Sequence, residues 1–244
     1  MSQLVDIMKK RHNTQFFSSE IPDKKIIDDI LKTAHDLTPH KNNFYRYKIN
    51  VWGPEHEEQK RWVGISSVGG EGKDKFRDNL DKEKFDELSK IFDKWMSKEN
   101  AWKGYPKVEG CNFNTQVLAP YLLVYTHQPD FKTKSQLDSQ YNKSGDLKKI
   151  FKDKKSNPQD MDWIIQASMH GITTAYLCAE KGLNASFCRC FFYDELMPTD
   201  ILLKSIKPKK EITFLLGIGY EDKTQHRHIS YVKEPDYDEI VEWK

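Results

Sequence analysis

Cysteine is scarce in this chain, and the four that occur, Cys111, Cys178, Cys188 and Cys190, are too few and too oddly spaced for a disulfide framework. They are read as reduced thiols. Cys188 and Cys190 would need further ligands at suitable spacing to hold a metal, so no metal site is expected. A surplus of one charge is missing too: 39 basic residues stand against 37 acidic ones, interspersed throughout, for a net charge of +2. That balance builds no field for a nucleic-acid backbone or an anionic membrane. No apolar run approaches the length of a membrane span and residues 1–12 hold no apolar signal core, so a cytoplasmic protein is expected. Nothing resembling a flexible linker interrupts the 244 residues, which are read as a single domain, 1–244. What the chain has in quantity is aromatic residues. With 13 Phe, 11 Tyr and 6 Trp it has the means to build a core, and its mean hydropathy of −0.78 reflects a lysine-rich surface instead of disorder.

Apolar periodicity outlines the elements. Leu4, Ile7, Met8 and Arg11 recur at helical spacing behind Ser2, which predicts a short helix that buries an apolar face and ends at Arg11. Ile21-Pro22-Asp23 opens a second helix with Ile26, Ile27, Ile30, Leu31 and Ala34 as its stripe and Pro39 just beyond its end. Residues 48–52 read as a strand and 64–73, rich in glycine and serine, as a loop. Within that loop Gly70-Glu71-Gly72-Lys73 is no phosphate cradle, because Asp74 follows where Ser or Thr is needed and no strand precedes it. Residues 81–99 form an amphipathic helix whose Phe85, Leu88, Ile91, Phe92, Trp95 and Met96 are read as core. Residues 119–125 are almost continuously apolar, the mark of a strand central in its sheet.

Residues 128–159 turn polar and lysine-rich and are read as a lid or surface excursion. The helix predicted over 162–181 is apolar round most of its circumference, so burial on all sides is expected, within a core or against a second subunit, with Gly182 as its left-handed stop. Strands over 184–191 and 212–218 complete a set of about four, giving an α+β sheet covered by helices. The tail 231–244 carries Tyr231, Val232, Ile240, Val241 and Trp243 and wants a surface to bind.

Three polar segments carry the chemistry. Arg11-His12-Asn13-Thr14-Gln15 gathers a guanidinium fork, an imidazole and two amides, donors suited to a dianionic phosphate and the polar edge of a planar ring. The alternative is a helix C-terminal cap in which Arg11 and His12 answer the dipole. Thr38-Pro39-His40-Lys41-Asn42-Asn43 is either a binding loop or an ordinary helix-to-strand turn. Gly219-Tyr220 followed by Lys223, His226, Arg227 and His228 is either a phosphate-binding segment or a solvated basic loop.

In order and approximate spacing these segments resemble the FMN-dependent nitroreductase superfamily. The resemblance implies a three-layer α-β-α fold with a mostly antiparallel central sheet, and a homodimer with exchanged C-terminal tails and flavin in the interface. It places FMN phosphate and the pyrimidine edge at Arg11, His12, Asn13 and Gln15, with Pro39, His40, Lys41 and Asn43 reaching the same flavin from the second subunit. Asn112, or less well Asn114, falls at the ribityl-binding asparagine; Arg189 and Cys190 fall where a backbone N–H points at flavin N5; Arg227, and less well Lys223, fall at the terminal phosphate contacts. The chain departs from the pattern at Asn13, where serine is usual, at Gln15, where lysine or arginine is usual, at His40 and Lys41, which replace serines, and at Cys190, where glycine is common. The implied activity is reduction of a nitroaromatic, quinone or related acceptor by NAD(P)H in a ping-pong cycle, with no side-chain acid or base. The departures keep two rivals open: a repurposed protein with weak or structural flavin binding, and a flavoenzyme of the same fold with another reaction.

Overall fold

The computed structural model describes residues 3–14, 16–39, 45, 47–66, 69–70, 82–96, 111–112, 115–127, 159–188, 212–224 and 236–242. In chain order the elements are α1 (Gln3–Lys10), α2 (Lys24–Leu37), β1 (Tyr47–Trp52), α3 (Glu57–Ser66), β2 (Gly69–Gly70), α4 (Lys82–Met96), β3 (Cys111–Asn112), β4 (Tyr121–His127), α5 (Gln159–Glu180), β5 (Asn184–Cys188), β6 (Ile212–Gly219) and α6 (Tyr237–Ile240). Short 3-10 turns precede α3 (Pro54–His56) and β4 (Thr115–Leu118). Four strands make one antiparallel sheet in the order β1-β4-β6-β5, while β2 and β3 pair separately.

β4 explains the architecture. It lies between β1 and β6, and its side chains alternate between two covered faces. Tyr121, Leu123 and Tyr125 join Ile27 and Ile30 of α2, Ala167, Ala175 and Cys178 of α5, and Phe214, Leu216 and Ile218 of β6. Leu122 and Val124 point the other way, into a smaller core with Trp52, Val63, Val117 and Leu215. Helices therefore lie on both faces of the sheet, a three-layer α-β-α arrangement, and a strand buried on both faces must be apolar at every position. The 119–125 run is apolar for that reason. On the second face α4 contributes buried Leu88, Ile91 and Phe92.

α2 starts where the sequence predicts. Asp23 caps it by accepting the Lys25 N–H at 2.8 Å. At the other end the Thr38 hydroxyl donates to the Ala34 carbonyl at 2.6 Å, closing the last turn just before Pro39. Gly182 has φ +74°, the left-handed stop expected after α5.

Three expectations need correction. α1 forms but has no buried residue: Leu4 is 62 % exposed and Met8 43 %, because the helix touches the body of the chain chiefly at α5. Residues 64–66 belong to the last turn of α3 and 69–70 to a strand, so the predicted 64–73 loop is structured at its start. Gly64 suits this helical position because a Cβ there would stand 3.0 Å from the Phe92 ring and 3.4 Å from Val117. Finally, α5 is not buried all round within the chain. Its buried side is Gln166, Ala167, His170, Gly171, Thr174, Ala175 and Cys178, whereas Ile165 is 53 % exposed. Close approach to a sheet selects small residues: a Cβ at Gly171 would stand 2.9 Å from both Phe187 and Phe214.

The buried side of α5 also carries a polar network that no motif announced. His170 Nδ1 lies 2.9 Å from the Tyr125 hydroxyl and 3.3 Å from that of Thr174, which donates to the His170 carbonyl at 2.8 Å. Burial pushes the Tyr125 and Tyr47 phenols well above their ordinary range. The Cys178 thiol is pushed up to about 12, again by burial.

Candidate functional site

The chain leaving α1 runs as a strap along the open edge of β5 and over the end of β6. Asn13 makes a parallel bridge with Ala185, and Phe17 an antiparallel bridge with Glu221. The Ser18 N–H donates to the Tyr220 carbonyl at 2.8 Å and the Asp222 N–H to the Phe16 carbonyl at 3.0 Å. This contact is possible because β6 ends in glycines. At Gly219 a Cβ would come 2.6 Å from Pro120 and 3.0 Å from the Phe17 ring, and at Gly217 it would collide with the Gln116 carbonyl.

The strap brings Arg11, His12 and Asn13 together with the segment that follows Gly219-Tyr220. His12 Nε2 sits 2.7 Å from Glu221 Oε1 and 3.0 Å from Asn184 Nδ2, and its Nδ1 lies 3.3 Å from the Lys10 carbonyl. The Asn13 carbonyl oxygen accepts from the Phe187 N–H at 2.8 Å and the Ser186 hydroxyl at 3.2 Å. Arg11 is half-buried at the end of α1, and among the described residues its guanidinium has neither ion pair nor hydrogen bond. Lys223 stands exposed in the turn one residue after Asp222, which closes that turn by accepting from the Thr224 N–H and hydroxyl.

Against β6 sits the turn Thr115–Leu118. Gln116 Nε2 donates to the Phe187 carbonyl at 3.1 Å, and the Lys60 ammonium, buried in α3, donates to the Ala119 and Pro120 carbonyls at 3.0 Å each. Burial lowers the Lys60 pKa, with Glu57 and Glu55 opposing the shift. Two buried oxygens in this neighbourhood, Thr14 Oγ1 and Gln116 Oε1, have no hydrogen-bond partner among the described residues.

Of the other expected site residues, Pro39 is exposed past the end of α2, with no bond to the strap among the described residues. Asn112 lies in β3 opposite Gly69. Gln15, His40, Lys41, Asn43, Asn114, Arg189, Cys190 and Arg227 lie outside the described residues. Asn184, Ser186, Gln116, Lys60 and Glu221 were missed. Gln116 could have been flagged as a lone amide ahead of an apolar strand, and Glu221 as the first of two acids, with Asp222, that open the basic segment. Lys60 carries no such signal, because its neighbours in sequence are as polar as itself.

No family model and no curated protein matches the chain by sequence. Solved structures match it along its whole length. A nitroreductase family protein from Streptococcus pneumoniae TIGR4 superposes with a TM-score of 0.58 at 15 % identity, over 99 % of this chain and 100 % of that one. A nitroreductase with bound FMN from Desulfitobacterium hafniense DCB-2 gives 0.57 at 13 %, covering 100 % of both chains. A nitroreductase with bound FMN from Bacteroides fragilis NCTC 9343 gives 0.58 at 10 %, again over 100 % of both. Identities this low carry architecture alone, and by its helices, its antiparallel sheet and its full-length superposition this chain has the nitroreductase fold.

Proposed function

We propose that the chain is an FMN-dependent oxidoreductase that uses NAD(P)H to reduce a nitroaromatic, quinone or related small acceptor in a ping-pong cycle. The observation that carries this reading is the strap. Two segments 209 positions apart meet through His12 and Glu221, in a fold that other proteins use to hold FMN, and they bring Arg11 to the same end of the sheet as the turn bearing Lys223. The residues present fit such a ligand. Among the described residues the Arg11 guanidinium has no counter-ion and the buried Thr14 hydroxyl no partner, and both are donors from which an anion would accept.

In this reading Arg11 grips the phosphate as a fork, with Lys223 and Arg227 adding positive charge. His12, Asn13 and Gln15 line the polar edge of the ring, Asn112 the ribityl chain, and the backbone at Arg189 and Cys190 faces the reactive nitrogen. Bound FMN supplies the acceptance and release of hydride, so no side chain need act as acid or base. A homodimer would bring Pro39, His40, Lys41 and Asn43 of a second copy to the same ligand. What supports it is apolar surface left open on one chain, at Leu4 and Met8 of α1 and Ile165 of α5.

Flavin occupancy after gel filtration, read by absorbance, tests the reading. Arg11→Ala should weaken FMN retention on the order of tenfold to a hundredfold, the worth of a charge-assisted hydrogen bond, while Lys9→Ala leaves it unchanged. Equal occupancy in the two variants would remove Arg11 from the site.

A second reading rests on Glu221. A carboxylate 2.7 Å from His12 places negative charge where the first reading needs positive, which favours a descendant of the fold that binds flavin weakly or not at all. A colourless protein that takes up no added FMN would decide for it.

A further inference from the structure

Phe187, the last residue but one of β5, has both of its backbone polar groups held by side chains. Its N–H donates to Asn13 Oδ1 at 2.8 Å, and its carbonyl accepts from Gln116 Nε2 at 3.1 Å. β5 pairs with β6 along one edge, so these are groups that an edge strand leaves open. Each side chain is itself anchored. Asn13 is bridged to Ala185 and accepts a second bond from Ser186. Gln116 belongs to a 3-10 turn that packs against Gly217 and is followed by the two carbonyls that Lys60 holds.

We propose that Asn13 and Gln116 are positioning residues: a pair of amides that clamps the two peptide groups flanking Phe187 and so fixes the backbone at the C-terminal end of β5, ahead of Arg189 and Cys190 in sequence. The consequence for a ligand rests on the flavin reading above, whereas the clamp is a property of the chain alone. A carbonyl oxygen has two lone pairs, and both of those on Asn13 are taken, by Phe187 and Ser186. As an acceptor Asn13 has nothing left for a ring N–H, so its oxygen acts on bound flavin only through the peptide it holds.

The first test uses flavin-free protein and amide hydrogen exchange followed by NMR. Phe187 should be protected in the wild type and in Asn13→Asp, which keeps the acceptor, and should exchange about five- to tenfold faster in Asn13→Leu. Equal rates in all three overturn the clamp. Should Asn13→Leu fail to fold, Gln116→Met reports from the other side, because loss of that donor should move the Phe187 carbonyl 13C shift and an unmoved shift overturns the clamp equally. The second test titrates FMN into Asn13→Leu, Gln116→Met and the double variant. Two jaws of one clamp are not independent, so the double variant should lose no more affinity than the worse single one within about twofold. Losses that multiply would mark two separate flavin contacts and overturn the positioning role. If the exchange pattern holds but the wild type takes up no FMN, the flavin reading fails and the clamp stands.

Discussion

The interior beneath α5 and the rim at the end of β5 are both held by hydrogen bonds, but the two sets differ in kind. Beneath α5 the bonds join fully buried groups, Tyr125 to the His170 ring and Thr174 to the His170 ring and carbonyl, inside an apolar shell in which Tyr125 stacks on Phe214 at 4.2 Å between ring centroids. At the rim they join side chains to half-buried groups near the surface: Asn13 and Gln116 to the Phe187 backbone, and His12 to Glu221 and Asn184. The interior has no room for changes of volume, and its polar atoms depend on partners that water cannot replace. The rim can lose a bond to water at small cost. Substitutions beneath α5 should therefore act on stability, and substitutions at the rim on what the protein binds.

The comparison breaks most visibly at Phe214. Phe214→Ala removes a buried ring that packs against Tyr125 and Phe187, and should lower the free energy of unfolding by about 3–5 kcal/mol in a urea titration. A loss below about 1 kcal/mol would mean that the interior repacks as freely as the rim.

Alkali should separate the regions next. The Cys178 thiol ionises near 9.0 in the unfolded chain and is pushed up to about 12 by burial, so the stability it contributes is complete below pH 9 and is lost as pH rises towards 12. Tyr125 and Tyr47, raised in the same way, act in the same sense. Lys60 is lowered by burial and acts in the opposite sense, because its cost is relieved as pH rises towards 10.5. The urea midpoint should fall above pH 9, and Cys178→Ala should make that fall shallower. A slope unchanged by the substitution would show that the thiol is not sealed from water.

The smallest effect on stability belongs to the rim. Glu221→Gln removes one partner of a pair whose His12 side chain is 52 % exposed, and should change stability by no more than about 1 kcal/mol. On the proposed flavin reading it should also tighten FMN, because it removes a negative charge beside His12. Unfolding at the cost of an interior substitution would erase the distinction; weaker FMN binding would move Glu221 from the margin of the site to a direct role in it.

The elements were legible wherever local rules governed them. Asp23 and Pro39 mark the ends of α2, Gly182 ends α5, and the apolar run 119–125 announces a strand covered on both faces. The exposed positions were less legible. Leu4, Met8 and Ile165 share the periodicity of buried residues, and hydrophobic spacing identifies which face is apolar without supplying what covers it. At the site, Arg11, His12 and Asn13 stood out because donors cluster in consecutive residues. Glu221, Asn184 and Gln116 did not, because their importance lies in bonds to partners far away in the chain.

By itself the sequence determined the helix caps, the strand periodicity, the balance of charge and the set of donors on the strap, all of which depend on a residue and its near neighbours. Tertiary structure decided the rest. It set small residues of α5 against Phe187 and Phe214, left Arg11 without a counter-ion among the described residues while giving His12 one, and made the Asn13 side-chain oxygen a hold on β5. Each of these is a contact between segments that approach only after the sheet has formed, and the geometry of that approach is fixed by packing of the whole chain.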